Sequence, residues 1–368
     1  MADIFDYLIW RGDLDFEAAP FCEVDNLIFS LLAYVDFRHI APERQEDALP
    51  LAQISDLYFQ RHPWSKGKLG VLLPDQIQDL LLEAGDSRRF GSVRLWNHVN
   101  QIDSAREMQF SATTFSLGTG QTMAAFRGTD DTIVGWKEDF NMAVLFPVPA
   151  QQEAAIYLDR IAAATGDRII VGGHSKGGNL AVYAAAFCTP QTRERIDSVW
   201  SNDGPGFFQE VLDSEPYRAV HSRIRTVLPR SSIVGTFLDN DSAIIPVESS
   251  TLGPLQHDGL TWQVLGPRFV RADAMSRSSR QADKTLHTLI EELEPDLRRQ
   301  FIEIFFSVSA ELKVQTLTEL VSDGHKRQGL RVLYQKLSSF DKDTRDHFFR
   351  ALLSTFREDE SFLDRIIK

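Results

Sequence analysis

The chain has 368 residues, 43% of them hydrophobic, which suffices for one large domain with an appendage or for two modest domains. Its 39 lysines and arginines stand against 52 aspartates and glutamates, and the resulting net charge of −13 has the wrong sign for binding a phosphate backbone. The composition therefore argues against a nucleic-acid partner. It favours a neutral or acyl-type small molecule, because the same negative field repels anionic membrane surfaces and anionic substrates.

Targeting signals and membrane spans are not evident in the sequence. Residues 1–7 are acidic and lack the basic start and apolar stretch of a secretory signal. No later segment approaches the apolar length that a membrane span needs. Only Cys22 and Cys188 are present, so a disulfide framework is not indicated. The sequence predicts a cytoplasmic, reduced protein without a transmembrane segment.

The first predicted elements are helices, followed by a hairpin. Between Phe16 and about Ala84 the apolar residues fall mostly at helical spacing, so we expect a helical N-terminal section over about residues 1–85. Residues 108–116 and 122–126 are β-prone runs joined by a glycine-containing turn. They are expected to form the antiparallel pair that opens the sheet.

Strands and helices alternate after the hairpin. A proline-containing loop is followed by a predicted helix at 151–164 and a buried-type strand at 168–172. The remaining predictions are a helix at 176–187 and strands at 197–201, 224–228 and 260–265. Such alternation is typical of a mostly parallel sheet covered by helices on both faces, which makes the predicted fold class α/β.

From about Ser276 the pattern changes to charged amphipathic helices, at residues 286–293, 299–306 and 345–356. We therefore predict two parts: residues 1–275, an α/β domain that includes the N-terminal helical section, and residues 276–368, a helical C-terminal extension. Amphipathic spacing alone does not distinguish a lid over a site from a role in scaffolding or assembly.

The most informative run is Val171-Gly172-Gly173-His174-Ser175-Lys176-Gly177-Gly178. It places Ser175 between a β-prone stretch and a helix rich in small residues, with glycines two positions before and after it. These glycines permit the sharp strand-to-helix turn that presents a nucleophilic hydroxyl above a sheet edge. Free amides at the helix start stabilise negative charge there, and the amide of Lys176 is the natural first oxyanion donor. The alternative interpretation is a structural turn.

Other residues of this run need separate interpretations. A phosphate-binding loop is excluded, because Gly178 stands where the lysine of that motif belongs. The Lys176 side chain is interpreted as solvated at the turn, with pairing to a substrate carboxylate as the alternative. His174 lies inside the turn, so we expect it to point away from Ser175 and to act as packing or hydrogen-bonding support.

A second oxyanion donor must come from a loop beside this turn. Thr129 follows Gly128 at the end of a predicted strand and offers both a backbone amide and a hydroxyl, although a simple strand-terminal turn is the alternative. Nearby, two arrangements are open. Arg127 and Asp139 form an ion pair capped by Trp136, or Glu138 and Asp139 belong to a helix face.

Two phrases, Phe126-Arg127-Gly128-Thr129 and Gly173-His174-Ser175-Lys176-Gly177-Gly178, resemble the signature pair of class 3 lipases, the fungal triacylglycerol lipase type. Residues 109–112, 135–140, 202–207 and 256–258 resemble longer phrases of a bacterial family of lipase-like proteins. The resemblance covers about residues 26–265 and leaves out the helical tail. It implies an α/β-hydrolase fold with Ser175 as the nucleophile and Thr129 at the oxyanion hole.

In this fold the chain order is serine, then acid, then histidine. His257 lies in a loop-like segment after the strand at 224–228, whereas His221 precedes that strand and comes too early. We therefore predict His257 as the base that accepts the proton of Ser175. A histidine on a surface loop is the alternative interpretation.

The acid is harder to place. Class 3 lipases carry it after the strand that here ends at about Leu228, where this sequence has serines, and this is a departure from the lipase pattern. Asp203 follows the preceding strand in a loop whose glycines and proline suit a tight turn, so we predict Asp203 as the acid. Asp239 and Asp241 are the alternatives, and a turn-stabilising role is the other explanation of Asp203.

Together these residues predict a serine hydrolase, lipase-like or esterase-like, that cleaves a carboxylic ester or thioester through an acyl-enzyme intermediate. The substrate class is a small ester or lipid-like molecule. No metal or organic cofactor is expected. Two other classes stay open: a hydrolase fold kept as a binding or regulatory module, and a peptidase or amidase that uses the same residues.

Four apolar residues near the predicted carboxyl edge of the sheet, Phe207, Phe208, Phe237 and Leu238, have two interpretations. They line an acyl pocket, or they are part of the core.

Overall fold

The computed structural model describes residues 2–62, 76–276, 279, 295–316, 319, 326–337 and 340. The helices are, in chain order, α1 (Ile4–Arg11), α2 (Glu23–Leu32), α3 (Leu51–Arg61), α4 (Ile77–Asp86), α5 (Arg88–Gly91), α6 (Ile133–Asn141), α7 (Pro149–Ala164), α8 (Lys176–Phe187), α9 (Pro190–Glu194), α10 (Gln209–Leu212), α11 (Glu215–Val220), α12 (Pro295–Leu312) and α13 (Lys326–Lys336). The strands are β1 (Leu49–Pro50), β2 (Arg94–Asp103), β3 (Met108–Ser116), β4 (Gln121–Phe126), β5 (Arg168–His174), β6 (Ile196–Asn202), β7 (Ile224–Pro229), β8 (Ile244–Val247), β9 (Val264–Leu265) and β10 (Arg268–Phe269).

One sheet of eight strands organises the molecule, with β1 to β8 side by side in chain order. The pairings from β1 to β4 are antiparallel, and those from β4 to β8 are parallel. The strands β9 and β10 form a separate short antiparallel pair. Helix α7 lies in the connection between β4 and β5, and α8 lies in the connection between β5 and β6. Neighbouring parallel strands require such crossover connections. The predicted α/β-hydrolase fold is confirmed.

The central strand β5 shows why the sheet has two covered faces. Ile169, Ile170 and Val171 are all buried, yet they alternate between two hydrophobic clusters. Ile170 joins the cluster formed with the N-terminal helices, whereas its two neighbours join the cluster formed with α7 and α8. Because successive side chains of a strand point to opposite faces, a run that is apolar throughout must be buried on both.

The N-terminal helices cover one face of the sheet, as their apolar spacing predicts. In α2 every residue is buried, and Leu27, Ile28 and Leu31 are completely so. An internal ion pair, between Arg89 of α5 and Asp25 of α2 at 2.6 Å, ties these helices together. The N-terminal helical section is therefore part of the same core as the sheet.

Two strand predictions need correction, and the strands β2 and β8 were not predicted. The hairpin of β3 and β4 does not open the sheet, because β1 and β2 precede it and β2 pairs with β3. The strand β2 has a register irregularity between Trp96 and Val99 and a positive φ of 51° at Asn97, which interrupt the alternation expected of a strand. Residues 260–265 are not one strand: a 3-10 helix, Gly259–Thr261, precedes the two residues of β9.

The described part of the C-terminal extension is helical and packs on α6. The amide of Ile133 donates to the carbonyl of Gln315 at 2.9 Å, and Lys137 pairs with Glu303 at 2.8 Å. The predicted helix at 299–306 lies within α12, whereas those at 286–293 and 345–356 lie outside the described residues. The division of the chain at residue 275 stays a prediction. Across the described ranges, no helix is long and apolar enough to cross a membrane.

Candidate active site

Ser175 occupies a strained turn between β5 and α8. Its φ of 59° and ψ of −135° lie outside the regions that non-glycine residues normally adopt. Its amide donates to the carbonyl of Asn202 at the end of β6, at 2.9 Å. A conformation of this kind costs about 1–3 kcal/mol and persists only where the surrounding structure enforces it. The half-buried serine is therefore held at the carboxyl edge of the sheet, as the motif predicts.

The glycines around Ser175 leave no space for a side chain. A β-carbon at Gly173 would overlap with the Gly177 backbone, and one at Gly177 would overlap with the carbonyl of Phe126. Gly128, in the loop after β4, is equally confined: its β-carbon would come within 2.9 Å of the Ser175 Cβ. The loop that carries Thr129 therefore lies directly against the turn around Ser175, which we call the elbow (residues 173–177).

His257 and Asp203 form a buried pair. The Nδ1 atom of His257 lies 2.7 Å from Oδ2 of Asp203, and the residues are 7% and 0% exposed. Since a carboxylate only accepts hydrogen bonds, Nδ1 carries the proton and Nε2 is left as the basic nitrogen of the neutral ring. Asp203 itself has a positive φ of 50°. The structure thus brings together the predicted base and the predicted acid.

The other carboxylate oxygen of Asp203 also has hydrogen-bond partners. Its Oδ1 accepts hydrogen bonds from the Ser232 hydroxyl and from the Gly235 amide, the latter at 3.2 Å. Ser232 stands in the segment where the lipase pattern carries its acid. Where the lipase pattern has its acid, this chain therefore has a serine that donates to the Asp203 carboxylate, which lies one strand earlier.

The alternative acids lie elsewhere. Asp241 is exposed and binds the hydroxyl of Tyr217 at 2.7 Å and the guanidinium of Arg218 at 2.6 Å. Asp239 is also exposed, and its backbone pairs with that of Phe207. Neither is hydrogen-bonded to His257, whereas Asp203 is.

Both ring nitrogens of His174 have hydrogen-bond partners other than Asp203. Its Nδ1 lies 3.0 Å from the Tyr34 hydroxyl, and its Nε2 lies 2.8 Å from the backbone carbonyl of His257. Burial lowers the pKa of His174 to about 3, with a further contribution from the neighbouring His257. The ring is therefore neutral at ordinary pH, and its predicted role as hydrogen-bonding support agrees with these contacts.

Thr129 lies in the loop beside the elbow and is buried. Its hydroxyl donates to Oδ2 of Asp139, which is on α6. Burial raises the pKa of Asp139 to about 6, although the charge of Lys176 and the hydrogen bond from Thr129 both oppose that shift. The side chain of Thr129 is thus fixed by α6.

The Lys176 side chain contradicts both earlier interpretations. It is 1% exposed, and its Nζ donates to Oε2 of Glu138 at 3.0 Å and to the carbonyl and Oε1 of Gln109 at 3.0 and 2.7 Å. It is neither solvated nor free to bind a substrate carboxylate, because three acceptors already surround its three N–H groups. It anchors the start of α8 to α6 and β3.

The predicted pair of Arg127 with Asp139 is also wrong. Arg127 pairs with Asp130 at 3.0 Å, and Trp136 packs against the cluster of the C-terminal helices rather than over an ion pair. Glu138 is completely buried and accepts from the amides of Gln109 and Ala150, both at 2.9 Å. Glu138 and Asp139 both lie in α6, as the helix-face alternative predicts, but the side chain of Glu138 is in the interior.

The four candidate acyl-pocket residues differ in how deeply they are buried. Phe207 is 5% exposed and packs in the core, with its ring 6.1 Å from that of Tyr217. Leu238 is also buried, at 8% exposure, while Phe208 and Phe237 are half-buried. For Phe207 the core interpretation is the better one.

Three contributors to the site were not predicted from the sequence: Tyr34, Ser232 and the Glu138 carboxylate as the partner of Lys176. The sequence carried a signal for only one of them. Ser232 marked a departure from the lipase pattern at the expected position of the acid. Nothing local indicated that Tyr34, 140 residues before His174, would contact its ring.

The chain has an α/β-hydrolase fold: a mostly parallel sheet places a strained serine between a strand and a helix, beside a buried His–Asp pair. More specifically, the chain belongs to the Mbeg1-like family, whose model matches residues 84–307. That match reaches into α12 and so includes part of the C-terminal extension.

Several solved lipase structures are similar to this chain. M37 lipase is 12% identical over 82% of this chain and 97% of its own, with a TM-score of 0.39. The Lip2 lipase of Yarrowia lipolytica is 14% identical over 56% and 80%, with a TM-score of 0.31. The Rhizomucor miehei lipase in its propeptide complex is 15% identical, with a TM-score of 0.30, and the match spans 42% of this chain and 57% of that one. No curated protein matches significantly.

Proposed function

We propose that the protein is a serine hydrolase that cleaves carboxylic esters or thioesters through Ser175, His257 and Asp203. The observation that carries the proposal is the buried His257–Asp203 pair, at 2.7 Å, beside a serine held at a positive φ. The pairing leaves Nε2 of His257 as a base and orients its ring. A serine becomes a nucleophile when such a base accepts its proton.

The proposed reaction follows from these positions. Ser175 Oγ attacks the ester carbonyl while His257 Nε2 accepts its proton, and Asp203 stabilises the imidazolium that forms. The amides of Lys176 and Thr129 donate to the oxyanion of the tetrahedral intermediate. His257 then protonates the leaving group, and water, activated by the same histidine, releases the acyl group from Ser175. The chemistry uses only side chains, backbone amides and water.

The proposed substrate is a small neutral ester or a lipid-like ester. The net charge of −13 disfavours anionic substrates at long range. Near the site, the one cationic side chain next to Ser175 in sequence, Lys176, is already neutralised by Glu138. An anionic acyl group would therefore gain nothing from Lys176.

The test is reaction with a fluorophosphonate probe, followed by peptide mapping. We expect the probe to label Ser175 in the wild-type protein, no label in S175A, and slow labelling in H257A. A panel of p-nitrophenyl esters of increasing chain length would then define the preferred acyl group. If the folded wild-type protein carries no label on Ser175, the hydrolase proposal is wrong, and the binding or regulatory alternative is favoured.

A further inference from the structure

Two histidine rings lie against each other at the elbow, and only one of them has a role in the proposed reaction. The ring centroids of His174 and His257 are 4.7 Å apart, with 35° between the ring planes. His174 is completely buried. A buried polar ring with both nitrogens bonded needs an explanation beyond packing, because an apolar side chain would fill the same space without polar atoms to satisfy.

The contacts of His174 determine which nitrogen carries its proton. Its Nε2 faces the carbonyl of His257 at 2.8 Å, and a carbonyl only accepts, so Nε2 is the protonated nitrogen. In a neutral ring, Nδ1 is then an acceptor. The Tyr34 hydroxyl, 3.0 Å away, must therefore be the donor to Nδ1.

Tyr34 is in turn held beside the oxyanion loop. A β-carbon at Gly128 would overlap with the Tyr34 hydroxyl, so this oxygen lies directly against the backbone one residue before Thr129. A continuous series of contacts thus runs from the loop after β4, through Tyr34 and His174, to the main chain of His257.

The segment that carries His257 requires support of this kind. It is a 3-10 helix, Gly253–His257, with an exposed residue before it, Leu252 at 84%, and another within it, Leu255 at 66%. The bond to Asp203 fixes one end of the His257 ring, but it does not fix the backbone that carries the ring. The Nε2–H of His174 binds that backbone directly.

We propose that His174 and Tyr34 are positioning residues for His257: Tyr34 orients the His174 ring, and its Nε2–H holds the main chain of His257 so that the basic nitrogen of His257 faces Ser175. The proposal rests on the proposed function above. A misplacement of about 1 Å at a reacting group can reduce the rate about 10²-fold, so a support of this kind matters for turnover.

The burial of His174 also determines the charge of its ring. His257 becomes an imidazolium during the reaction, and a second charged ring 4.7 Å away would oppose that step. Because burial lowers the pKa of His174 to about 3, its ring stays neutral while His257 is charged. Two histidines in contact therefore coexist without mutual repulsion.

The first test is spectroscopic and does not depend on activity. Long-range ¹H–¹⁵N correlation spectra of the wild-type protein report which ring nitrogen of each histidine is protonated. We expect opposite tautomers, with the proton on Nε2 in His174 and on Nδ1 in His257, and no titration of His174 between pH 5 and 8. A His174 ring protonated on Nδ1, or one that titrates near neutral pH, would overturn the proposal.

The second test separates positioning from folding. In H174F both hydrogen bonds are lost, and we expect kcat to fall about 10²-fold with KM unchanged. In H174Q an amide replaces the ring donor, and we expect at least tenfold recovery relative to H174F. In Y34F one hydrogen bond is lost, and we expect a fall of about fivefold, as for a bond worth about 1 kcal/mol.

The control is Y183F, which removes the same hydroxyl from a tyrosine that is 7% exposed in the core beside Phe187. Its kcat should equal that of the wild type. H174F with wild-type kcat would contradict the positioning role, provided that the wild-type protein is labelled at Ser175. If the wild type is not labelled, the proposed function fails, and the tautomer experiment still decides whether His174 holds His257.

Discussion

Two buried pairs of polar side chains lie beside the elbow, and they differ in which hydrogen-bonding atoms remain available. On one side, Asp203 binds Nδ1 of His257, and the other nitrogen of that ring has no hydrogen-bond partner among the described residues. On the other side, Lys176 binds Glu138, and all three of its N–H groups have acceptors. Burial alone therefore does not mark a reactive group. A pair is suited to catalysis when one basic atom remains available, and to support when every donor is used.

The largest effect is expected from the first pair. In D203N the amide cannot hold the proton of His257 on Nδ1, so we expect kcat to fall by about 10⁴ while the protein stays folded. Ester hydrolysis and circular dichroism measure the two properties. D241N is the matched control, because Asp241 is exposed and contacts Arg218 instead. If D241N lost activity while D203N retained it, Asp241 rather than Asp203 would be the acid.

The second pair should affect stability instead. E138Q removes the carboxylate that is hydrogen-bonded to the buried Lys176 ammonium, and we expect the free energy of unfolding to fall by about 3–5 kcal/mol. Urea denaturation measures the change. The double variant K176M/E138Q removes the unpaired charge and should recover part of the loss. If E138Q were as stable as the wild type, the proposed structural role of the Lys176–Glu138 pair would be wrong.

Asp139 lies beside the second pair, 3.7 Å from Lys176, and accepts a hydrogen bond from Thr129. Burial raises its pKa from 3.8 to about 6, so the folded state binds a proton more tightly than the unfolded state. Its contribution, up to about 3 kcal/mol, is fully present below the unfolded pKa and is lost as the pH rises from about 4 to about 6.

The variant D139N tests this contribution, because asparagine imitates the neutral acid. The free energy of unfolding, measured between pH 4 and pH 7, should fall less steeply with rising pH in D139N than in the wild type. Identical slopes would show that Asp139 titrates normally.

The smallest effect is expected from Ser232, which donates to Asp203 from the end of the next strand. Removing a hydrogen bond to a charged group costs about 1.5–3 kcal/mol, so S232A should lose roughly 10- to 100-fold in kcat. S231A is the control, since the Ser231 hydroxyl bonds to Ser276 instead. Equal rates for the two variants would mean that Ser232 does not support the acid.

Much of the fold could be predicted from sequence because its signals are local. The fully apolar stretch Ile169-Ile170-Val171 indicates a strand buried on both faces, and the spacing of apolar residues in α2 and α4 indicates helices on a core. The strand β2 was missed because its polar residues and its irregularity at Asn97 obscure the pattern of a strand.

The elbow and the roles proposed for Ser175, His257 and Asp203 were also readable from sequence. The glycines at 173 and 177 report a steric requirement of the chain itself, and the order of serine, acid and histidine is a property of the fold. By contrast, the partners of Arg127 and the burial of Lys176 were predicted wrongly. A charged side chain has no periodic pattern that shows where its partner lies.

The sequence by itself determined the class of fold, the strand–turn–helix around Ser175 and a short set of candidate acids and bases, because these depend on neighbours within a few residues. Only the tertiary structure decided that Glu138 neutralises Lys176, that Ser232 supports Asp203 and that Tyr34 reaches His174. Those outcomes depend on which polar groups meet in the interior. A buried charge or ring nitrogen is stable only with a partner, and that partner can lie anywhere along the chain.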